Sequence, residues 1–184
     1  MANKQSLRDL QTRLAERMQQ VRTEQPGVSW LAVDCAGQGL LFALRQAGEI
    51  FKLGSVLPVP HTQPWLTGVV NLRGGVCTVV DLAGFLGLRN AGQPVSPLQC
   101  RLVGFNHQLQ VNGALLVDRL EGLRHAADLR VEVESTDNGA AQVQAQGPRP
   151  AFALARWRDE AGRVWQEIDL AELARMPQFL AVTG

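Results

Sequence analysis

The chain has 184 residues, 46% hydrophobic and 19% charged, so it has enough apolar material for a packed core. Its net charge of +1 and its lack of tyrosine exclude the basic footprint and the aromatic platforms of a nucleic-acid-binding protein. Because no apolar run reaches the about 18 residues of a membrane-spanning helix, and no signal peptide is recognised, we expect no membrane insertion. We expect a cytoplasmic protein with reduced Cys35, Cys77 and Cys100.

The first predicted element is a helix over residues 6–24. Ser6 and Asp9 approximate a capping box at its start, and Pro26 ends it. Its apolar residues recur at spacings of three and four, which makes a single stripe: Leu7, Leu10, Leu14, Met18 and Val21. The stripe packs either on the protein's own β-structure or, as a docking arm, on a partner or a second copy, and the sequence leaves both open.

A first β-hairpin is predicted from residues 30–35 and 40–44, which flank the turn sequence AGQG. Residues 57–64 (LPVPHTQP) then form a stiff linker, because each proline fixes its own φ and extends the residue before it. His61 in this linker has no metal-type spacing to the other histidines or to the cysteines, so it is assigned to the surface.

Residues 66–82 (LTGVVNLRGGVCTVVDL) carry the most informative pattern in the chain. Apolar and polar residues alternate on both sides of Gly74-Gly75, which predicts two antiparallel strands joined by a tight turn at that pair. Asn71 and Arg73 then lie at the end of a rigid ribbon. A side chain fixed in this way loses little entropy on binding, so it suits a partner contact.

This stretch resembles the signature of the CheW-like coupling proteins of bacterial chemosensory arrays, G-x-x-N-L-R-G-x-x-x-P-V-V-D-L. The matches fall at positions 68, 71–74 and 79–82, whereas Thr78 stands where proline is common. The flanking PHTQPWLTGVVNLRGG is most similar to the PilI branch, which serves pilus-linked (twitching) arrays.

The resemblance implies a mainly β fold of two SH3-like, five-stranded β-barrel lobes, with a helix at each end of the chain. Together with the predicted N-terminal helix, it divides the chain into an N-terminal helical arm, residues 1–26, and a CheW-like domain, residues 27–180. It implies a set of protein-binding residues in which Glu49 pairs with Arg73: Glu49, Ile50, Asn71, Arg73 and Gly74. From the residues alone, Glu49 can equally be a solvated charge and Arg73 a simple turn residue.

In the middle of the chain, Asp81 is predicted to cap a helix over residues 82–88, and Gly75 and Asp81 are assigned as structural turn and cap. A strand follows over residues 101–105. Asn112-Gly113 by itself signals a hairpin turn, but the family pattern places this glycine within a strand over residues 111–116. We follow the family pattern and expect either a bulge or a close backbone approach at Gly113.

Towards the end of the chain, residues 151–157 and 164–168 predict a last hairpin around residues 159–162. Asp169 caps a helix over residues 170–176 that Pro177 ends. Between residues 128 and 147 no element can be read.

No catalytic motif accompanies these elements: the chain has no G-x-S-x-G, Walker loop, H-E-x-x-H or C-x-x-C sequence. The best catalytic constellation is Cys77 with Asp81 and a distant histidine, and a lone cysteine on an apolar strand is more often packing. We therefore expect no enzyme activity, no cofactor and no metal.

The function that the resemblance implies is an adaptor between chemoreceptors and a CheA-type histidine kinase, at membrane-associated receptor arrays. The groove between the lobes would hold the cytoplasmic tip of the receptor, and an exposed barrel face would bind the kinase regulatory domain. Two alternatives stay open, namely a free-standing SH3-like module that binds another signalling protein and a cysteine-dependent enzyme.

Overall fold

A computed structural model describes residues 28–90, 96, 98–132, 150–181 and 183. The predicted helix over residues 6–24, and with it the N-terminal arm, lies outside these residues. So does most of the segment in which no element could be read.

The described residues are mainly β. The eleven strands are β1 Ser29–Cys35, β2 Gln38–Ala43, β3 Ala47–Lys52, β4 Leu66–Leu72, β5 Gly75–Asp81, β6 Arg101–Phe105, β7 Gly113–Val117, β8 Arg119–His125, β9 Leu129–Val131, β10 Ala153–Asp159 and β11 Val164–Ile168. The three α-helices are short: α1 Leu82–Phe85, α2 Leu170–Arg175 and α3 Pro177–Leu180. Two 3₁₀ turns, His107–Leu109 and Ala126–Asp128, complete the described elements.

The strands form two sheets, which we call the six-stranded lobe (order β8-β1-β2-β11-β10-β9) and the five-stranded lobe (order β3-β6-β7-β5-β4). The first lobe corrects the prediction of five strands in each, because β9 adds a sixth. Leu129 on the edge strand β9 shares a buried cluster with Trp30 on β1, four positions away in the strand order. A flat sheet would separate them by about 19 Å, so the sheet curls around its own core.

The two lobes repeat one topology. Each has three antiparallel strands (β8-β1-β2 and β3-β6-β7), then a parallel pair (β2–β11 and β7–β5), then an antiparallel neighbour (β10 and β4). In each lobe a helix follows the strand that completes the parallel pair, α1 after β5 and α2 after β11. Asp81 and Asp169, each just before one of these helices, therefore occupy equivalent places.

The lobes pack on each other through one apolar row from each sheet. Paired residues on neighbouring strands share a face of the sheet. In the six-stranded lobe, Phe42 pairs with both Leu31 and Ile168, which makes one row. In the five-stranded lobe, Leu115 pairs with both Val103 and Val80, which makes the other. All six side chains are buried in a single cluster. The main core of the protein therefore lies between the lobes.

The end of the described chain fastens the lobes further. Asp169 caps α2, as predicted, by accepting hydrogen bonds from the N–H groups of Ala171 (2.9 Å) and Glu172 (3.1 Å). Pro177 ends α2 and begins α3. On α3, Phe179 is buried among aromatic rings of the five-stranded lobe and its linker, those of Trp65, Phe85 and Phe105.

The two predicted hairpins, around AGQG (residues 36–39) and around residues 159–162, are confirmed by the pairing of β1 with β2 and of β10 with β11. The first turn is shorter than predicted, because Cys35 pairs with Gln38. The strand at Gly113 is confirmed without a two-residue turn, although it starts two residues later than predicted. A Cβ on Gly113 would lie 3.2 Å from Thr78 Oγ1, so the nearest atom belongs to a side chain and not to the backbone that the sequence analysis suggested.

Gly68 combines a positive φ with a close backbone contact, so the fold does not tolerate a side chain there. Its φ is +144°, and a Cβ there would lie 2.2 Å from the carbonyl oxygen of Leu57, whose backbone is hydrogen-bonded to Val69.

We expect Gly68→Ala to lower the free energy of unfolding by about 3 kcal/mol in urea titrations. Gly37→Ala is the matched control, because its φ is +83° but its Cβ meets nothing within 4 Å. It should cost about 1 kcal/mol, and equal losses would contradict the steric argument.

Candidate partner-binding site at the β4–β5 turn

The β4–β5 turn is one residue earlier than predicted. Leu72 pairs with Gly75, so Arg73 and Gly74 alone form the turn, with φ of +51° and +85°. Two successive positive φ values are typical of a type I′ hairpin turn. Gly75 is the first residue of β5 and has no positive φ, so its assignment as a central turn residue is wrong.

Arg73 is therefore held in a left-handed backbone conformation that costs an L-residue about 1–2 kcal/mol. Asn71 helps to hold it, because its side-chain Oδ1 accepts a hydrogen bond from Gly74 N–H at 2.9 Å. Strained residues of this kind cluster at functional sites. Asn71 is exposed, but this oxygen is already used to build the turn.

The predicted ion pair is present. Arg73 Nε lies 2.8 Å from Glu49 Oε2, and the two side chains are 75% and 51% exposed. The pair connects the β4–β5 turn with β3, the opposite edge strand of the five-stranded lobe. Since an exposed pair contributes only about 0–1 kcal/mol, its main effect is to orient the guanidinium.

Ile50 extends the inter-lobe apolar row into solvent. It pairs with Val103, the end of the buried row in the five-stranded lobe, so both side chains share one face. Ile50 is 43% exposed, whereas Val103 is fully buried. Glu49, Ile50, Asn71, Arg73 and Gly74 are hereafter the turn site, which combines an oriented cation with an apolar neighbour.

The sequence analysis missed Val76. It pairs with Asn71 across the hairpin and is 67% exposed. A turn placed at Gly74-Gly75 puts Val76 beside the turn, whereas the real register places it directly opposite Asn71. Local turn preference could not have found it, because Gly74-Gly75 satisfies the same preference for a two-residue turn and only the strand pairing decides the register.

Asp81 does not cap α1 through its side chain, which corrects the prediction. Its buried carboxylate instead binds Arg89, with Oδ1 2.6 Å from Nη2 and Oδ2 3.3 Å from Nε. A buried carboxylate needs a countercharge more than a single N–H partner. Burial alone would lower the pKa of Arg89, but the hydrogen bonds to Asp81 and Asp118 have the larger combined effect. The pKa of Arg89 is therefore raised above its ordinary value.

The cysteines do not resemble nucleophiles. All three are free thiols, and Cys35 and Cys100 are buried. Burial raises the pKa of Cys35 well above its ordinary value, and the charges of Asp118 and Asp34 add to this effect. Cys77 is half-buried and packs against the core of the five-stranded lobe.

Within the described part of the chain, no group of three or more His, Cys, Asp and Glu side chains is placed to hold a metal ion. In the same residues, no helix has both the length and the apolar character to cross a membrane.

A family model described as the CheW-like domain matches residues 29–178. Protein PilI of Pseudomonas aeruginosa is 32% identical over 101 residues, which is 53% of each chain, and chemotaxis protein CheW of Thermotoga maritima is 25% identical over 59% of this chain and 68% of its own. The chain thus matches about half the length of PilI. The crystal structure of the scaffolding protein TtCheW from Thermoanaerobacter tengcongensis has a TM-score of 0.62 at 18% identity, over 84% of this chain and 93% of that one, and this likeness shows the fold.

The strain at position 73 can be measured. Arg73→Gly relieves the left-handed conformation, whereas Arg73→Ala removes the same functional group and keeps the strain. We expect the glycine variant to have a free energy of unfolding about 1 kcal/mol higher than the alanine variant, measured by urea denaturation. Equal stability would show that the turn does not strain the residue.

Proposed function

The chain belongs to the family of CheW-like domains, and on this premise we propose that it is a non-enzymatic adaptor in a chemosensory array. It couples the cytoplasmic tips of methyl-accepting chemoreceptors to a CheA-type histidine kinase. The sequence similarity to PilI favours an array that controls type IV pilus twitching motility. The adaptor would act in the cytoplasm, at the membrane-associated receptor array.

One observation carries the proposal, namely the presentation of Arg73. Its side chain is 75% exposed and paired with Glu49, on a turn whose left-handed backbone conformation favours glycine. A guanidinium fixed in one orientation can recognise a carboxylate or a carbonyl on a partner with little loss of side-chain entropy. Had this side chain been buried, no partner could reach it.

A charged side chain and exposed apolar side chains lie at and beside the turn site. Arg73 faces solvent at the tip of the β4–β5 hairpin, and Ile50 and Val76 provide exposed apolar area on β3 and β5. An interface that combines a central apolar patch with an arginine is typical of protein–protein contacts. We assign the groove between the lobes to the receptor tip and an exposed face of a lobe to the kinase regulatory domain.

The proposal is tested by the affinity of the purified chain for a cognate kinase regulatory domain and a receptor cytoplasmic fragment. A micromolar complex corresponds to about −8 kcal/mol. If Arg73 contributes about 2 kcal/mol, Arg73→Ala weakens binding about thirtyfold in isothermal titration calorimetry.

The matched control is Arg175→Ala, because the Arg175 side chain is also 75% exposed and is also paired, with Glu172 at 3.0 Å. This variant should bind both partners like the wild type. An Arg73→Ala protein that is folded and binds both partners as tightly as the Arg175→Ala protein would refute the assignment of the turn site.

A further inference from the structure

Two short segments of the described chain connect a strand of one lobe directly to a strand of the other. Residues 44–46 lead from β2 to β3, and Asp118 alone separates β7 from β8. In the repeated topology, β2 corresponds to β7 and β3 to β8, so the two crossovers are equivalent. Asp169 and Asp81, which follow β11 and β5, are the equivalent acidic residues near them.

At the first crossover a neutral amide makes the connection. Gln46 Nε2 donates to Asp169 Oδ1 at 2.9 Å, and Gln46 Oε1 accepts from Leu170 N–H at 3.0 Å. A donor and an acceptor on one side chain thus tie the β2–β3 crossover to the start of α2.

At the second crossover the corresponding residue is itself an acid. Asp118 and Asp81 would repel each other if they met directly. Arg89 lies between them, with Nη2 2.6 Å from Asp81 Oδ1 and Nη1 2.5 Å from Asp118 Oδ1. The side chains of Arg89 and Asp81 are only 12% and 6% exposed, so solvent screens this pair little.

This cluster is a polar connection between the two lobes, beside the one that Gln46 makes at the first crossover. Asp118 Oδ2 accepts from Ala36 N–H at 2.7 Å, and Asp118 N–H donates to Asp34 O at 3.0 Å. The partners of Asp118 in the six-stranded lobe therefore lie on β1 and in the β1–β2 turn. Asp81 is at the base of the hairpin that carries the turn site, where its N–H donates to Trp65 O at 2.8 Å.

The directions of these contacts distinguish them from the core. Apolar burial is non-directional, so the inter-lobe rows constrain the angle between the lobes less sharply than a directional polar contact does. A guanidinium that binds two carboxylates has a fixed planar geometry. A buried ion cluster also adds little net stability compared with apolar packing, so its main consequence is geometric.

We propose that Arg89 is a positioning residue that fixes the angle between the lobes, and with it the direction in which the β4–β5 hairpin presents the turn site. This inference rests on the proposed function in one respect: a partner held between the lobes depends on the angle, whereas a partner on one lobe face does not. Arg89 therefore supports binding of the receptor tip and is dispensable for the kinase regulatory domain.

The test uses Asp118→Asn, which weakens one arm of the cluster and leaves the buried pair of Arg89 and Asp81 intact. Spin labels on cysteines introduced at the exposed positions Glu160 and Gln108, in a Cys77→Ser background, report the distance between the lobes. We expect a broader distance distribution, receptor-tip affinity about tenfold lower, and kinase-domain affinity within about twofold of the parent protein.

The matched control is Arg163→Met, because Arg163 Nη2 also binds a buried carboxylate, Asp34, at 2.6 Å, but within the six-stranded lobe. It should lower stability without broadening the distance distribution. Should Asp118→Asn fail to fold, Arg89→Lys replaces it, since lysine keeps the charge and loses the planar fork.

An unchanged distance distribution in the folded variant overturns the inference, and so does an equal loss of affinity for both partners. If the parent protein binds neither partner, the proposed function fails. The distance measurement then still decides whether Arg89 fixes the angle between the lobes.

Discussion

The apolar contact between the two sheets is the interaction on which the rest of the structure depends. One row of side chains from each sheet is buried in the same cluster, and the C-terminal helices close over it. The same row produces the candidate site, because it runs past the edge of the contact at Ile50 and leaves an aliphatic side chain partly in water. The core and the candidate binding surface are therefore continuous, because Ile50, beside Arg73 and Glu49, extends a row whose other members are buried. A partner that covers Ile50 would complete a contact that the lobes begin.

Polar groups set the geometry that this apolar contact leaves open. In the β4–β5 turn, Asn71 and Glu49 hold Arg73 in a strained and exposed conformation. At the junction of the lobes, Arg89 joins two buried or half-buried carboxylates, while Gln46 makes the equivalent connection with an amide. Neither arrangement is a large source of stability. Both instead orient the groups that they join.

Local sequence patterns correctly predicted those features of the structure that neighbouring residues determine. Alternation located most strands, turn residues located the first and last hairpins, and Asp169 was identified as a cap because its acceptor geometry involves only its own neighbours. The turn register was missed by one residue, since Gly74-Gly75 satisfies the same preference and only the pairing of Leu72 with Gly75 decides between them. The cap role of Asp81 was wrong because its partner, Arg89, is supplied by tertiary structure. Strand β9, with three residues, is too short for any periodicity to show.

The route of the chain through the lobes has a consequence for the order of folding. All five strands of the lobe that carries the turn site come from one continuous stretch, β3 to β7, inserted between β2 and β8 of the other lobe. During synthesis this inserted unit can therefore assemble as soon as its last strand has left the ribosome. The surrounding lobe has to wait for β11, which pairs in parallel with β2 from the far side of the insertion. Pairing over so long a separation is slow, so we expect the nascent chain to form the β4–β5 turn with Arg73 before the six-stranded lobe has folded.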